Sequence, residues 1–586
     1  MARSRLPNKA RKTVVQVRER SDVQTKSPRT IETRANTLTR RATRRAATVK
    51  ERRLFLGSLL LIVVTVIIVF GRIVGHDFVI WDDTIEVYQN PYFNPITWNH
   101  LSYLWTHPYL NLYVPISDVV FALLSAVGHV SHSIHAAPTT GTSLDPHVFH
   151  AASLVLHMVN SLVVFGILRQ LRLKYTASLA GALLFAVHPL QVESVAWVSE
   201  LRGLTAGLFS LLAVWSYLTY AQRATGSRPS QYKLFAILAV TSGVVAALAK
   251  PSAVTVPLIA LVLDRWCLRR TWRKCLPVCG VWLATMIPIV VVTRLAQPVQ
   301  ARLIVLLWDR PFVALDALAF YAFKFVWPLK LGIDYGRTPA AVLGSWWGYV
   351  TWIVPVSIGV GLYFLRHRGW PVAAGLISLA ALLPVLGLSA FSFQVYSTVA
   401  DRYMYLAMLG PAVALGYLLS NVDLTRLKTA APLVLVLAGL ATLAFVQVGY
   451  WSNTNTLMTQ ALRVNPRSDV AYNNLGISLA QHGHLGKAKI DFTTAMRLNP
   501  NNYEAPSNLG NVLGLEGNLG GAIKQYRASI LIDPNWPESH TNLGSALLFN
   551  KERAVAIHQF LLALRADPGW TAAQQGLQRA QYSGAS

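Results

Sequence analysis

The stretch LFLGSLLLIVVTVIIVFGRIV at residues 54–74 decides the fold class, because it is long and apolar enough to cross a lipid bilayer. Only 13% of the 586 residues are charged and 53% are hydrophobic, whereas a soluble domain carries roughly 25% charge. This composition excludes a single water-soluble enzyme and predicts an all-α, polytopic membrane helix bundle with about eleven crossings. The predicted spans are 54–74, 148–171, 176–190, 203–221, 232–249, 252–268, 275–294, 345–365, 370–388, 403–420 and 430–449.

Basic side chains predict the orientation of this bundle. Residues 1–53 contain 17 Lys and Arg against four acids, which is typical of a disordered cytoplasmic tail that touches anionic lipid and not of a nucleic-acid-binding arm. The later basic clusters also fall on the cytoplasmic side if the chain crosses eleven times. We therefore expect a multi-pass protein of the cell (inner) membrane, with a transmembrane domain at 54–449 and a long outer segment at 75–147. If segment 312–331 also crossed, the basic clusters that follow it would lie on the outer side. We therefore predict a re-entrant or interfacial helix there.

A second domain follows at 450–586, where the composition becomes polar. Four prolines and three Asn-Leu-Gly triplets recur there with a period of 34 residues. They are Pro466, Pro500, Pro534 and Pro568, and the triplets that begin at Asn474, Asn508 and Asn542. This is the tetratricopeptide pattern of paired helices with small residues where they cross. It predicts an extracytoplasmic α-solenoid with about three full repeats at 467–568, preceded by a half repeat and followed by a capping helix.

Asparagine recurs at one position of each predicted repeat, as Asn474, Asn508 and Asn542. Side-chain amides can pair with a peptide backbone, so this row is a candidate groove for an acceptor polypeptide. The alternative is that each amide bonds the backbone of its own repeat. Both interpretations predict a protein partner for this domain.

Ionisable residues from many predicted spans gather toward the outer side of the membrane, where charged groups are costly and usually functional. Adjacent carboxylates can supply a general base for a hydroxyl, and Arg and Lys can hold a phosphate. A phosphate held beside a carboxylate indicates glycosyl transfer from a lipid-phosphate sugar. The structural alternatives are helix caps, span-ending turns and cations that reach toward the lipid head groups. The residues concerned are Asp82, Asp83, His188, Glu193, Glu200, Arg202, Lys250, Arg310, Lys324, Asp401 and Arg402.

Four motifs carry a family resemblance over about residues 54–580. FVIWDD at 78–83 resembles the acidic motif after the first span in lipid-dependent glycosyltransferases of the GT-C class. HPLQVESVAWVS at 188–199, AKPSAVTVP at 249–257 and ADRYMYL at 400–406 resemble segments of the transmembrane-and-tetratricopeptide protein O-mannosyltransferases and their bacterial relatives. The order of these motifs, followed by the repeats, makes the likeness more specific than any one of them.

The resemblance implies an enzyme that transfers mannose or another hexose from a polyprenyl-phosphate donor to Ser or Thr of an exported protein. It implies Asp82 as the general base and Asp83 as its companion, with Arg402, Lys250 and Arg202 toward the donor phosphate. It assigns no cofactor, and it leaves open a divalent metal beside the two aspartates. Further pocket residues are Trp81, His188, Glu193, Asp401, Tyr403 and Tyr405.

Three other functions are compatible with parts of the sequence. A membrane-anchored repeat scaffold for an envelope complex would make the outer charges structural, and a related transferase would modify a glycan or lipid instead of a protein. A transporter is disfavoured, because no pair of spans has the symmetry of inverted repeats. Cys267, Cys275 and Cys279 lie near basic residues of a predicted cytoplasmic loop and lack the further ligands of a metal site.

Overall fold

A computed structural model describes residues 51–93, 96–130, 143–224, 229–297 and 305–582. Almost all of the predicted tail 1–53 lies outside this range. In the described part the regular secondary structure is helical, apart from two short strands, His129–Val130 and Ser143–Leu144, which pair antiparallel. The predicted all-α class, with membrane helices followed by a tetratricopeptide solenoid, is confirmed.

Seven described helices are long and apolar enough to cross a membrane. They are Glu51–Gly75, Pro146–Gln170, Val198–Arg223, Tyr232–Ala249, Trp272–Ala296, Trp346–Phe364 and Leu427–Gly449. Tyr175–Val187 and Pro189–Ala196 are bent by 53° at His188 and make an eighth span if they are counted together. The chain is therefore a multi-pass membrane protein.

The described spans number seven or eight by length and composition, fewer than the eleven predicted. The difference lies in the predicted spans 252–268, 370–388 and 403–420, which form short consecutive helical pieces. Pro257, Pro384 and Pro411 lie within the first three residues of such pieces, where a missing backbone donor is tolerated. The pieces are Pro251–Thr255, Val256–Val262, Leu263–Cys267, Trp370–Leu382, Leu383–Val385, Asp401–Tyr403, Met404–Ala407 and Leu409–Leu418.

The ambiguous segment 312–331 forms most of the helix Arg310–Val326, which has 17 residues. A vertical crossing needs about 20 residues. Its buried charges are satisfied within the protein, since Asp316 pairs with Arg337 at 2.5 Å and Lys324 donates to the carbonyl of Leu329 at 2.7 Å. The interfacial or re-entrant placement stays a prediction.

The segment after the first span folds over one end of the bundle. It contains the turn Thr84–Tyr88 and the helices Trp98–Thr106 and Pro115–Val127. Their apolar side chains share one cluster with the helix Pro146–Gln170 and with the start of Val198–Arg223. This packing brings the acidic stretch at 82–86 against the beginning of that last helix.

The C-terminal helices follow the predicted repeats. A single helix, Thr454–Val464, comes first, and three helix pairs and the capping helix Thr571–Tyr582 follow it. The pairs are Asp469–Gln481 with Leu485–Leu498, Glu504–Leu515 with Leu519–Ile532, and Pro537–Phe549 with Arg553–Ala566. In each pair a triplet glycine packs against an aromatic ring, as Gly476 does against Phe492. A small residue is required there because the two helices approach closely.

The repeat domain packs directly on the membrane domain, since Ser58–Ser586 forms one compact unit. Backbone N–H groups of Asp77 and Ile80 donate to the Ser452 carbonyl at 3.1 Å and to the Thr454 hydroxyl at 2.9 Å. The Asn474 amide donates to the Ile80 carbonyl at 2.9 Å. The first repeat therefore holds the chain two residues before Asp82.

Candidate active site

A cavity of about 540 Å³ lies where the acidic stretch, three helix ends and the segment 384–403 meet. Its polar lining contains five of the eleven ionisable residues that the sequence analysis singled out, namely Asp82, Glu200, Arg202, Lys250 and Arg402. Glu86 and Arg294 line it in addition. Aromatic side chains complete the wall, namely Trp81, Phe391, Phe393, Tyr396 and Tyr403.

The two adjacent aspartates differ in accessibility. The Asp82 side chain is 34% exposed and lines the cavity, with Oδ2 3.9 Å from Nη2 of Arg202. Asp83 is 1% exposed. Its carboxylate accepts hydrogen bonds from the Ser199 backbone N–H at 2.9 Å, the Ser199 hydroxyl at 2.5 Å and the Val79 N–H at 3.1 Å. Asp82 can therefore reach a ligand, whereas Asp83 ties the loop to the start of the helix Val198–Arg223.

Burial raises the pKa of all three acids in this loop. The pKa of Asp82 rises because protein surrounds the carboxyl except toward the cavity, although Arg202 and Arg402 oppose the shift. Burial raises the pKa of Asp83 to about 6, against the hydrogen bonds from Ser199 and Val79. Burial also raises the pKa of Glu86, and the ion pair with Arg202 opposes this rise. A carboxyl with a raised pKa is a better proton acceptor when ionised.

All three predicted phosphate ligands are paired with carboxylates, and two of them, Arg202 and Lys250, each have one close partner. Arg202 binds Glu86 through two contacts of 2.9 Å each. Lys250 donates from Nζ to both oxygens of Glu200, at 2.9 and 2.6 Å. Their side chains are 12% and 20% exposed. Because each cation is largely neutralised by its partner, little net positive charge remains for an anion at these positions.

The third predicted phosphate ligand, Arg402, is 7% exposed and has the largest set of partners. Its guanidinium pairs with Glu193, its backbone N–H donates to the same carboxylate at 3.1 Å, and its Nε lies 3.6 Å from Glu200. The guanidinium also lies over Phe393, 4.0 Å from the ring centroid. Removing one partner of such a buried network leaves an uncompensated charge, so a substitution of Arg402 should destabilise this part of the cavity wall.

The other predicted pocket residues divide into two groups. Trp81 and Tyr403 line the cavity, whereas His188, Glu193, Asp401 and Tyr405 do not belong to its described lining. Asp401 accepts from the Tyr335 hydroxyl at 2.8 Å, and His188 lies 3.1 Å from the Phe325 carbonyl. The Tyr405 hydroxyl bonds His157 and Asn160. This second group packs behind the cavity, on the core side.

Among the lining residues that were not predicted from the sequence are Glu86, Arg294 and Tyr396. Glu86 could have been found, because it lies four residues after Asp82 and such spacing places side chains on one face of a helical turn. Arg294 lies at the end of a predicted span, where an arginine is expected to reach toward the lipid head groups. Its sequence position therefore does not distinguish it as a ligand. Tyr396 lies in an irregular segment and carries no local signal.

Two predictions concern metals and peptides. Among the described residues, no group of three or more His, Cys, Asp or Glu side chains could hold a metal ion. The Asn508 amide donates to Asn473 at 3.0 Å and the Asn542 amide donates to Asn511 at 3.1 Å. The row of asparagines thus joins neighbouring repeats, and its first member joins the membrane domain. A peptide would have to replace these bonds, so the peptide-binding role stays a prediction.

No family model matches the chain. Curated relatives include protein O-mannosyl-transferase TMTC4 of Homo sapiens, 25% identical over 394 residues that make up 58% of this chain and 53% of the relative. TMTC3 of Mus musculus is 25% identical over 59% of this chain and 41% of the relative, and F38B6.6 of Caenorhabditis elegans is 22% identical over 74% and 61%. The predicted resemblance to this family is confirmed, and the match spans about half the length of these relatives.

Solved structures that resemble the chain cover only a minor part of it. YrrB, a tetratricopeptide protein with an unusual peptide-binding site, is 23% identical over 28% of this chain and 89% of its own, with a TM-score of 0.21. The first tetratricopeptide domain of Spaghetti (RPAP3), bound to an HSP90 peptide, is 16% identical over 20% of this chain and 94% of its own, with a TM-score of 0.20.

Proposed function

We propose that the chain is a membrane glycosyltransferase that moves mannose or another hexose from a polyprenyl-phosphate donor to a Ser or Thr hydroxyl of an exported protein. The observation that carries this proposal is the position of Asp82. It is the accessible member of the acidic pair, and it lines a cavity that also contains basic and aromatic side chains. The similarity to protein O-mannosyl-transferases supports the same reaction class.

In the proposed reaction, the ionised Asp82 accepts the proton of the acceptor hydroxyl. The hydroxyl oxygen forms a bond to the anomeric carbon of the sugar, and the bond from that carbon to the phosphate oxygen breaks. The phosphate leaves with the electron pair as polyprenyl phosphate, so the configuration at the anomeric carbon inverts. General-base catalysis of this kind contributes about 10²- to 10⁴-fold.

The repeat domain is proposed to present the acceptor polypeptide. This is supported by its contacts with residues 77–80, beside the cavity. Tyr396 of the cavity wall also interacts electrostatically with Glu504 of the second repeat, which together with burial raises the tyrosine pKa. An acceptor bound along the repeats would thus have a short path to Asp82. The proposed orientation has the N-terminus in the cytoplasm and the cavity and repeats outside.

The test is the variant Asp82→Asn, which keeps the size of the side chain and removes the base. We expect transfer from a polyprenyl-phosphate hexose to a Ser/Thr peptide, followed by mass spectrometry, to fall about 10²-fold or more, with an unchanged melting temperature in detergent. Asp83→Asn is the matched control. It should lower the melting temperature, because it disturbs three buried hydrogen bonds.

Three results would contradict the proposal. Transfer by Asp82→Asn at the wild-type rate would exclude this residue as the base. Transfer to a free glycan or lipid alcohol, with none to peptides, would exclude the protein acceptor. If the wild-type chain binds partner proteins but has no transferase activity, a function as a membrane-anchored scaffold is favoured instead.

A further inference from the structure

Arg294 differs from the other described cations of the cavity in having no carboxylate partner. The ion pairs within 4.0 Å in the described residues include Arg202, Lys250 and Arg402, but they do not include Arg294. The undescribed residues 298–304 that follow its helix contain no acid in the sequence. Within the described residues, the positive charge of Arg294 is therefore not compensated by an ion pair.

The guanidinium of Arg294 is held at the cavity wall. Arg294 occupies the last turn of the helix Trp272–Ala296, and its side chain is exposed. Nη1 donates to the Ala390 carbonyl at 3.1 Å, and Ser389 and Ser392 line the cavity beside that residue. A guanidinium carries five N–H donors in a planar fork that matches a phosphate. One described hydrogen bond fixes its direction and leaves donors for a ligand.

The surface around Arg294 suits an amphiphilic ligand. Val290, one helical turn earlier, lines the cavity and is 47% exposed. Ile287, Val291 and Leu295 are also exposed on this helix. An apolar helix surface of a membrane span faces lipid tails, and it leads here to a free cation at the cavity wall. A phosphate joined to an isoprenoid chain has both of these properties.

We propose that Arg294 binds the phosphate of the polyprenyl-phosphate donor, while Arg202, Lys250 and Arg402 hold the acidic residues in position. This inference rests on the proposed function and changes which cation meets the leaving group. When the bond to the anomeric carbon breaks, negative charge develops on the phosphate. An uncompensated guanidinium stabilises that charge more than a cation already paired with a carboxylate.

The test measures binding and not only turnover. The full chain in detergent is titrated with a synthetic polyprenyl monophosphate and with the corresponding polyprenol, which lacks the phosphate. We expect Arg294→Gln to weaken binding of the monophosphate roughly tenfold to a hundredfold and to leave polyprenol binding unchanged. Arg294→Lys should keep part of the preference, because the charge remains but the fork is lost.

Arg273→Gln is the matched control, since it removes an exposed arginine near the other end of the same helix. It should leave both affinities at wild-type values. In the transfer assay, Arg294→Gln should raise the KM for the donor, lower kcat and leave the KM for the peptide unchanged. A general loss of folding would lower the amount of active enzyme and leave both KM values unchanged.

The outcomes separate the inference from the proposed function. If Arg294→Gln keeps the wild-type preference for the monophosphate, the role of Arg294 is wrong although the function survives. If the wild type itself does not prefer the monophosphate over the polyprenol, the proposed donor fails as well. Inorganic phosphate is the third probe, and its displacement of the lipid at equal concentration would indicate a simple anion site and overturn the assignment to a lipid phosphate.

Discussion

Replacing Asn474 by alanine tests whether the first repeat belongs to the catalytic machinery. The Asn474 amide is nearly buried and donates to the Ile80 carbonyl at 2.9 Å, two residues before Asp82. Asn474→Ala leaves this carbonyl without that partner, which costs about 1–3 kcal/mol. The Thr454 hydroxyl still holds the Ile80 N–H, so we expect the loop to shift and not to unfold. A loss of about 1.4 kcal/mol from the transition state corresponds to a tenfold lower rate.

The matched variants are Asn508→Ala and Asn542→Ala, which remove the equivalent amide from the next two repeats. Their amides donate to Asn473 and Asn511 of the preceding repeats and make no described contact with the membrane domain. If the amide of Asn474 positions Asp82, Asn474→Ala lowers kcat roughly tenfold and the other two variants do not. The measurement is initial-rate transfer to a Ser/Thr peptide, with kcat and the peptide KM determined separately.

A different pattern would refute this reasoning. If all three alanine variants raise the peptide KM to a similar degree and leave kcat unchanged, the asparagine row binds the acceptor along the groove. If Asn474→Ala has wild-type kinetics, the contact between Asn474 and Ile80 does not influence the loop that contains Asp82. In either case the repeats would act apart from the reaction centre.

Two further predictions concern the stability of the repeats in the full chain. Gly476→Ala should lower the free energy of unfolding by roughly 1–3 kcal/mol, because the added Cβ would lie 2.8 Å from the Phe492 ring. The control is Gly486→Ala, whose added Cβ has nothing within 4 Å and should leave the melting temperature unchanged. Burial and the charge of Glu538 raise the pKa of Glu504 to about 7 from 4.5. The folded state thus holds a proton that the unfolded state has lost, so stability falls as pH rises from about 4.5 to about 7. Glu504→Gln should remove this decline. Near pH 8 it should raise the free energy of unfolding by at most roughly 3 kcal/mol, seen as a higher melting temperature, whereas near pH 4 it should have no effect. Equal effects at both pH values would contradict this prediction.

The fold was predictable to the extent that it depends on local sequence patterns. A period of 34 residues and a run of apolar residues are visible without any tertiary contact. The number of spans was less predictable, because hydropathy sums over residues and does not register where a helix is interrupted. Proline does not mark the interruptions either, because Pro257, Pro384 and Pro411 lie at the start of short helical pieces whereas Pro277, Pro288 and Pro432 lie inside unbroken helices.

The charge pairing of the site could not be predicted for a related reason. Arg402 pairs with Glu193 across 209 residues of sequence, and Lys250 pairs with Glu200 across 50. Motif positions can indicate which residues approach a site, but not which cation neutralises which acid. The sequence therefore predicted Arg202, Lys250 and Arg402 as phosphate ligands, although each has a carboxylate partner in the structure.

Pairing also determines which charges remain for chemistry. Arg202 with Glu86, and Lys250 with Glu200, cancel in the described lining of the cavity, and Arg402 is compensated from behind by Glu193. Asp82 remains, with only a 3.9 Å contact to Arg202, and so does Arg294, with a backbone carbonyl as its described partner. The proposed glycosyl transfer uses Asp82 as its base and Arg294 as the cation that meets the lipid phosphate. A variant that frees a second cation, such as Glu200→Gln beside Lys250, should therefore tighten binding of a polyprenyl monophosphate even where it slows transfer, and unchanged binding would contradict this account of the site.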